Sequence, residues 1–422
     1  MSQDGLSRRD FGLIAGAAGL GATVLGGCSG AATAGRQVAA ARTWRTTGTA
    51  LAGLGGFDTA VKAFMQKRGI PAGQLAVVRK GRLVLARGYT WADAATPATQ
   101  PTSLFRIASV SKPITATAVQ RLIQDGRLKP TDRVATLLGL STAADPRLKD
   151  VTVLRLLQHL GGWDRDISPD LMWQDAEIAK RLGLPLPIKH ADIMRYASTR
   201  KLDHAPGTHY AYANYGYMLL GRIIEKASRQ SYGSYVQAKV LAPRGIKRMR
   251  LGRTLSRAPG EVGYHSQFTG RTVMDNTGKT VASPYGSFSL ENHDAQGGWL
   301  STAVDLVRFA GIYDGGTSVL NTTSINRAFA KPQTGVNANG WYYGCGWMVR
   351  PMKTGRNTWH DGSQPGTSAL LVRRYDGTTY AVLFDQRDDP SKLSYSDIDP
   401  ALYNAANAVR TWPTGNLYSR YF

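Results

Sequence analysis

The stretch FRIASVSKPIT, residues 105–115, places a hydroxyl and an amine one helical turn apart. Ser109 and Lys112 stand at positions i and i+3, which share a helix face, so the amine can reach the serine oxygen. A neutral lysine can take the hydroxyl proton when burial or neighbouring charge lowers its pKa. The pattern predicts Ser109 as a nucleophile, although Ser and Lys also fall three residues apart by chance.

A second stretch, PGTHYAYANYGY at residues 206–217, leads directly into an apolar run with helical spacing. Within it, Tyr212 and Asn214 place a phenol and a carboxamide two residues apart. A tyrosine near a lysine can exist partly as phenolate and carry a proton to the leaving group, and the amide can hold a substrate carbonyl. The alternative is a packed aromatic cluster, since the chain holds 19 tyrosines.

Strand patterns lie at both ends of the chain, and helix patterns fill its middle. The predicted elements are a helix from Phe57, a hairpin around Lys80 and Gly81, helices over 112–122, 153–160 and 215–228, strands from Tyr343 to Phe384, and a closing helix over 400–412. This order predicts an α+β fold, an α/β sandwich in which an antiparallel sheet is interrupted by a mainly helical insertion. We expect the folded domain at 51–415, with the sheet part about 51–105 and 290–415 and the helical part about 106–289.

Taken in order, Ser109, Lys112, Tyr212 and Asn214 resemble the serine β-lactamase and penicillin-binding-protein superfamily, in particular its class C-like branch of DD-peptidases and esterases. Three further stretches support the resemblance, which runs from about residue 57 to 412: QDGRL at 124–128, LLQH at 156–159 and GGWLSTAVDL at 297–306. The resemblance implies a β-lactamase/transpeptidase-like fold, with helices from both chain ends flanking the sheet. It also implies catalysis through an acyl-enzyme.

The third motif of that superfamily is Lys-Thr-Gly or His-x-Gly on a strand beside the active site, and this chain contains both. We choose His360 and Gly362, because the surrounding WHDGSQPGTS resembles the family's strand and turn, whereas KTG at 353–355 belongs at a hairpin tip. By this resemblance His360, Gly362 and Asn214 bind substrate, and the backbone N–H groups of Ser109 and Ser363 form the oxyanion hole.

These residues predict a serine hydrolase, but they leave the substrate open, because the same set serves peptides, β-lactams and esters. A D-alanyl-D-alanine carboxypeptidase-like or esterase-like enzyme acting in the cell envelope is favoured. The alternatives are a class C-like β-lactamase, an amidase or aminopeptidase for D-residues, and a silent protein that binds peptidoglycan or penicillin. Histidine in place of lysine weakens the positive charge that would bind a substrate carboxylate.

The N-terminus carries an export pattern. SRRDFGL at residues 7–13 is a twin-arginine signature, and LGGC at 25–28 resembles a lipobox, which makes Cys28 the predicted lipidation site. The apolar run between them is short and glycine-rich for a transmembrane span. We therefore predict a signal segment over 1–28, a flexible tether over 29–50, and a lipid anchor at the outer face of the cytoplasmic membrane or in the periplasm.

A net charge of +23 is compatible with nucleic-acid binding. Lys and Arg are, however, spread along the chain without a nucleic-acid-binding motif, so we expect no nucleic-acid partner. No His/Cys cluster has metal-ligand spacing and no glycine-rich phosphate loop follows a strand, so we expect no cofactor. His159 is interpreted as structural, and Asp164 and Asp166 as turn acids. Cys345 is expected to be a small buried residue.

Overall fold

The computed structural model of the protein describes residues 41–315 and 317–422. The predicted twin-arginine segment at 7–13, the predicted lipidation site Cys28 and the first part of the tether lie outside these residues. Among the helices of the described chain, none is long and apolar enough to cross a bilayer.

The strands and helices follow the predicted order, with additional short strands in the middle. The strands are β1 (Thr43–Ala50), β2 (Ala72–Arg79), β3 (Arg82–Ala92), β4 (Phe105–Arg106), β5 (Arg250–Leu251), β6 (Thr269–Arg271), β7 (Thr280–Ala282), β8 (Trp299–Ser301), β9 (Tyr342–Tyr343), β10 (Met348–Pro351), β11 (Arg356–Gln364), β12 (Thr367–Arg373) and β13 (Thr378–Phe384). The helices are α1 (Gly55–Arg68), α2 (Ser111–Gln124), α3 (Val134–Leu138), α4 (Val153–Leu157), α5 (Asp175–Leu182), α6 (His190–Ala197), α7 (Asn214–Ser228), α8 (Tyr232–Val236), α9 (Asp294–Gly297), α10 (Ala303–Ala310), α11 (Thr322–Ala328) and α12 (Ile398–Asn407).

Within the described residues, the main sheet has eight strands in the order β1-β3-β2-β13-β12-β11-β10-β9. Every neighbouring pair is antiparallel. Its strands come from two separate stretches, 43–92 and 342–384, and the chain between them is mainly helical. This arrangement confirms the predicted α+β fold with one antiparallel sheet and a helical insertion.

The centre of the sheet is buried because helices cover it. All seven residues of β13 are buried, which fits a strand enclosed on both faces. On one face Phe384 stacks on Phe64 of α1, with ring centroids 5.0 Å apart, and Tyr380 donates a hydrogen bond to Asp399 of α12. Since alternate strand residues share a face, the helices from the two chain ends pack on the same side of β13.

The helical part is organised around α2, most of whose residues are buried, and which packs against α7, α9 and α11. Thr152 caps the start of α4, since its hydroxyl accepts a hydrogen bond from the Arg155 N–H. A rigid buried α2 matters for function, because Ser109 lies in the 3₁₀ turn Ala108–Val110 directly before it.

Two local predictions are wrong. Residues 43–50 of the predicted tether form β1, which pairs along its whole length with β3 at the edge of the sheet. The strand expected from Tyr343 onward is instead the hairpin of β9 and β10, turned by Gly344 and Gly346. Gly346 has φ +81°, and a side chain there would collide with Ala116 of α2, so the chain reverses where the strand pattern predicted continuity.

Candidate active site

Ser109 is held on a strained turn between sheet and helix. Ala108, directly before it, has φ +44°, a region that non-glycine residues rarely adopt. Two backbone hydrogen bonds of Ile107 anchor the turn. The Ile107 N–H donates to the carbonyl of Trp299 in β8, and the Ile107 carbonyl accepts from the Val110 N–H. Strain of this kind persists where the surroundings enforce it, and it presents the Ser109 hydroxyl in one orientation.

Lys112 is fully buried and points its amine at Ser109. Its Nζ lies 3.0 Å from Ser109 Oγ, 2.8 Å from Asn214 Oδ1 and 3.0 Å from the carbonyl oxygen of Gln296. A neutral amine has two N–H donors and one lone pair. The two nearer acceptor-only oxygens can take both donors, with Gln296 Oε1 more distant at 3.4 Å, and the lone pair is then left to accept the proton of the Ser109 hydroxyl.

The electrostatic surroundings favour this neutral amine. Burial lowers the pKa of Lys112 well below its usual value of 10.5. The negative charges of Asp170 and Asp361 oppose this shift in pKa, and the positive charge of Arg165 adds to it. A lysine with a lowered pKa can act as a general base towards a serine at neutral pH.

Tyr212 lies over the same amine, with its ring centroid 4.7 Å from Lys112 Nζ. Burial raises the pKa of Tyr212 well above its usual value of 10.0, and a hydrogen bond with Ser109 only partly opposes the shift. The partial phenolate expected from the sequence is therefore disfavoured. In this environment the phenol keeps its proton and can donate it.

Asn214 is the first residue of α7 and links the Lys112 amine to Asp170, a residue that the sequence pattern did not single out. Its Nδ2 donates to Asp170 Oδ2 over 2.6 Å, while its Oδ1 accepts from Lys112. Asp170 is also the cap of the following turn, where it accepts a hydrogen bond from Met172 N–H. Nothing in the local sequence distinguishes it from an ordinary turn acid.

The strand β11 forms another wall of the site. Its neighbour β10 pairs only with residues 356–359, so residues 360–364 have no partner strand on that side within the part of the chain that the structure describes. A Cβ on Gly362 would lie 2.2 Å from the carbonyl oxygen of Ile107, so only glycine lets the strand approach the turn that carries Ser109. Ser363 follows in register with Ser368 of β12. The alternative triplet at 353–355 lies in the exposed β10–β11 turn, as predicted.

His360 is buried and electrically neutral. Burial lowers its pKa to about 3, and Lys112 adds to the effect whenever its amine is protonated. Its Nδ1 lies 2.6 Å from the carbonyl oxygen of Asp361 and can only donate to it, so Nε2 accepts from the Tyr343 hydroxyl at 2.9 Å. His360 therefore supplies no fixed positive charge to the site.

Two charges of opposite sign face the catalytic residues. Arg165 places its guanidinium 4.9 Å from the ring centroid of Tyr212. Asp361 lies on β11, and its negative charge raises the pKa of three nearby groups: Lys112, Tyr210 and Tyr212. A cleft of about 700 Å³ opens beside them and is lined in part by Arg165 and Asn214. Neither charge was singled out in the sequence.

His159 and Cys345 have the environments of structural residues. His159 Nδ1 accepts a hydrogen bond from Ala213 N–H, and its ring lies 4.3 Å from that of Tyr212, so the imidazole supports the tyrosine. Burial lowers the pKa of His159 well below its usual value. Burial raises the pKa of the Cys345 thiol to about 12, which keeps it protonated.

The comparison with known families agrees with this geometry. The family model described as Beta-lactamase matches residues 57–400. Protein flp of Staphylococcus aureus (strain MW2) is 29% identical over 213 residues, which are 50% of this chain and 41% of that protein. Penicillin-binding protein 4* of Bacillus subtilis is 27% identical over 317 residues, 71% of this chain and 64% of that protein. The chain thus spans less than two thirds of the length of these relatives.

Solved structures show the same fold. The octameric penicillin-binding protein homologue from Pyrococcus abyssi superposes with a TM-score of 0.64 at 23% identity, covering 84% of this chain and 77% of that one. D-amino acid amidase from Ochrobactrum anthropi SV3, in complex with L-phenylalanine amide, superposes with a TM-score of 0.66 at 20% identity, covering 85% and 99%. These likenesses establish a β-lactamase/transpeptidase-like architecture.

Proposed function

Since the chain belongs to the beta-lactamase family, we propose that it is a serine hydrolase that forms an acyl-enzyme on Ser109. The contact that carries the proposal is the 3.0 Å approach of the buried Lys112 amine to Ser109 Oγ. We place the chain in the class C-like branch on the basis of Tyr212, Asn214 and His360.

The proposed reaction has two steps. Ser109 Oγ attacks the substrate carbonyl carbon while Lys112 takes the hydroxyl proton, and Tyr212 donates a proton to the leaving nitrogen or oxygen as its bond to carbon breaks. Tyr212 recovers its proton from Lys112. Water then attacks the ester carbonyl and releases the acid and free Ser109. The N–H groups of Ser109 and Ser363 are the proposed oxyanion hole, where one donor contributes about 3 kcal/mol.

We further propose an ester or amide substrate whose leaving group has no carboxylate. On β11 a neutral histidine stands where the family alternative has a lysine, and the next residue, Asp361, is an acid. A substrate carboxylate at this strand would meet no cationic side chain on residues 360–364 and would be repelled by Asp361 whenever that residue is ionised, which leaves Arg165 as the alternative cation to test. This argument favours the esterase-like interpretation, or an amidase for D-residues, over a D-alanyl-D-alanine carboxypeptidase or a β-lactamase.

The carboxyl group of Asp361 on β11 could instead bind a positively charged group of the substrate. Asp361 has no ion pair within 4 Å among the described residues. Burial raises its pKa, and a substrate ammonium group beside it would oppose that shift and favour the ionised carboxylate. An amino acid amide or ester brings an ammonium group close to its scissile carbonyl. The Ochrobactrum protein with this fold is named a D-amino acid amidase, which makes such substrates a sensible first choice.

The test compares three substrates, of which only the dipeptide has a leaving group that carries a carboxylate. We would compare D-alanine amide and D-alanine p-nitrophenyl ester with N-acetyl-D-alanyl-D-alanine, and measure kcat/KM for the wild type, Ser109→Ala and Asp361→Asn. We expect turnover of the first two that depends on Ser109, at least tenfold preference over the dipeptide, and a KM that rises in Asp361→Asn. A preference for the dipeptide would contradict the proposed leaving group.

Two controls separate the remaining alternatives. If Arg165 binds a substrate carboxylate, Arg165→Gln should abolish turnover of the dipeptide, whereas amide turnover measured on the high-pH plateau should change little, because there the expected rise in the Lys112 pKa no longer matters. If the protein is a silent binder of peptidoglycan or penicillin, a fluorescent phosphonate should fail to label Ser109. Ser109-dependent labelling with no turnover of any substrate would indicate a narrower specificity within the same chemistry.

We also propose export by the twin-arginine route and lipid anchoring at Cys28, which would place the enzyme at the outer face of the cytoplasmic membrane or in the periplasm. Peptidoglycan stem peptides and esters would then be within reach. Radiolabelled fatty acid should be incorporated into the wild type and not into Cys28→Ala. Incorporation into both would contradict the anchor.

A further inference from the structure

Three side chains that could bind a metal meet beside the active-site cleft. Asp164 lies on the segment after α4, and His204 and His209 lie on the segment before α7. His204 Nε2 is 2.8 Å from Asp164 Oδ2, and His209 Nε2 is 3.9 Å from the same oxygen. The two imidazole rings are in contact, with centroids 4.1 Å apart and the ring planes tilted by 30°.

The backbone holds the two segments together without help from these side chains. His204 N–H donates to the Gly162 carbonyl over 3.0 Å, and Gly207 N–H donates to the Leu160 carbonyl over 2.8 Å. Asp164 N–H donates to the Asp203 carboxylate over 2.8 Å. The ligand atoms therefore converge on a frame that is already built, which lowers the entropic cost of binding an ion.

We propose that Asp164, His204 and His209 form a site for Zn²⁺ or a similar late transition-metal ion. Tetrahedral Zn²⁺ with bonds of about 2.0–2.1 Å needs ligand atoms about 3.3 Å apart. The observed 2.8 and 3.9 Å lie on either side of that value, and the three ligand atoms all lie within 4.8 Å of one another, so both imidazoles need only small rotations to reach it. Two imidazoles and one carboxylate leave the fourth position to water.

The proposed metal ligands are next in the chain to residues that contact the proposed active site. Arg165, which stacks on Tyr212, follows Asp164 directly, and Tyr210 follows His209. A bound ion would tie the segment that carries Arg165 to the segment that leads into Tyr212. Because the ion would bind the folded state, it should raise the thermal stability of the protein.

The experiment is a Zn²⁺ titration of the full chain, purified without a histidine tag and stripped with a chelator. We expect one ion per chain by calorimetry and an increase in the melting temperature, with at least tenfold weaker binding in His204→Ala and in His209→Ala. His265→Ala is the matched control, since His265 pairs with Asp385 at 3.5 Å in the same exposed manner. It should bind Zn²⁺ like the wild type.

His209→Ala decides the result, because His209 exposes 55% of its side chain and its removal should leave the fold intact. Unchanged Zn²⁺ binding in His209→Ala, equal loss in His265→Ala, or equal affinity for Ca²⁺ would each overturn the proposal. Ca²⁺ prefers oxygen ligands and should bind far more weakly than Zn²⁺. Calorimetry reads the ion directly, so the result does not depend on whether the proposed hydrolase function is right.

Discussion

Lys112 donates a hydrogen bond to Asn214 Oδ1 over 2.8 Å, which joins α2 to the first residue of α7. Asn214 passes the connection on to Asp170. The amide cannot rotate without losing both bonds, so it keeps its oxygen towards the amine. The Ser109 hydroxyl, the Lys112 amine and the Asn214 amide are thus oriented by one buried network.

Replacing Asp170 with asparagine should weaken this network without removing a catalytic group. We expect kcat to fall roughly fivefold, the equivalent of about 1 kcal/mol for one hydrogen bond. Loss of the negative charge should also lower the pKa of Lys112 and move the acidic limb of the rate profile to lower pH. If Asp170→Asn were slower but the acidic limb of its pH–rate profile did not move, the loss would be explained by misfolding of the loop that carries residue 170.

The pH dependence of kcat/KM should report Lys112. Activity requires the neutral amine, so the rate should rise with pH through a pKa well below 10.5 and then level off. Asp361→Asn should shift this limb to lower pH, because the acid raises the Lys112 pKa. Arg165→Gln should shift it to higher pH, because the arginine lowers that pKa. Equal shifts in one direction would exclude Lys112 as the titrating group.

Lys112 and Tyr212 should behave as one unit. Lys112→Ala and Tyr212→Phe should each reduce kcat by about 10²–10⁴-fold on a D-alanine ester. The double variant should lose much less than the product of the two factors, because either change already interrupts the proton transfer. Full additivity, measured on variants with wild-type circular dichroism, would show that the two residues act separately.

Gly362→Ala should damage both stability and activity. The new Cβ would lie 2.2 Å from the Ile107 carbonyl oxygen, so β11 would be pushed away from the turn that holds Ser109. Overpacking of this kind costs about 1–3 kcal/mol. Gly56→Ala in α1 is the matched control, since a Cβ there meets no atom within 4 Å. Denaturant unfolding and ester turnover together would show whether only the active-site glycine is sensitive.

Local sequence determined the elements and the main candidates of the site. Helix and strand periods, the Thr152 cap and the turn glycines act over a few residues, so they could be found along the chain without a structure. The spacing of Ser109 and Lys112 is of the same kind, because it needs only that α2 be a helix. The expected tether failed at residues 43–50 because strand β1 gains its stability from pairing with β3, a partner about forty residues away.

Tertiary structure alone decided the charge states and the long-range contacts. Burial lowers the pKa of Lys112 and raises that of Tyr212, and burial depends on every element packed around them. The partners Asp170 and Asn214 are 44 residues apart, and Asp164 and His204 are 40 apart. Solvation and electrostatics act through space, whereas sequence patterns record only neighbours along the chain, so these features appeared only once the chain was folded.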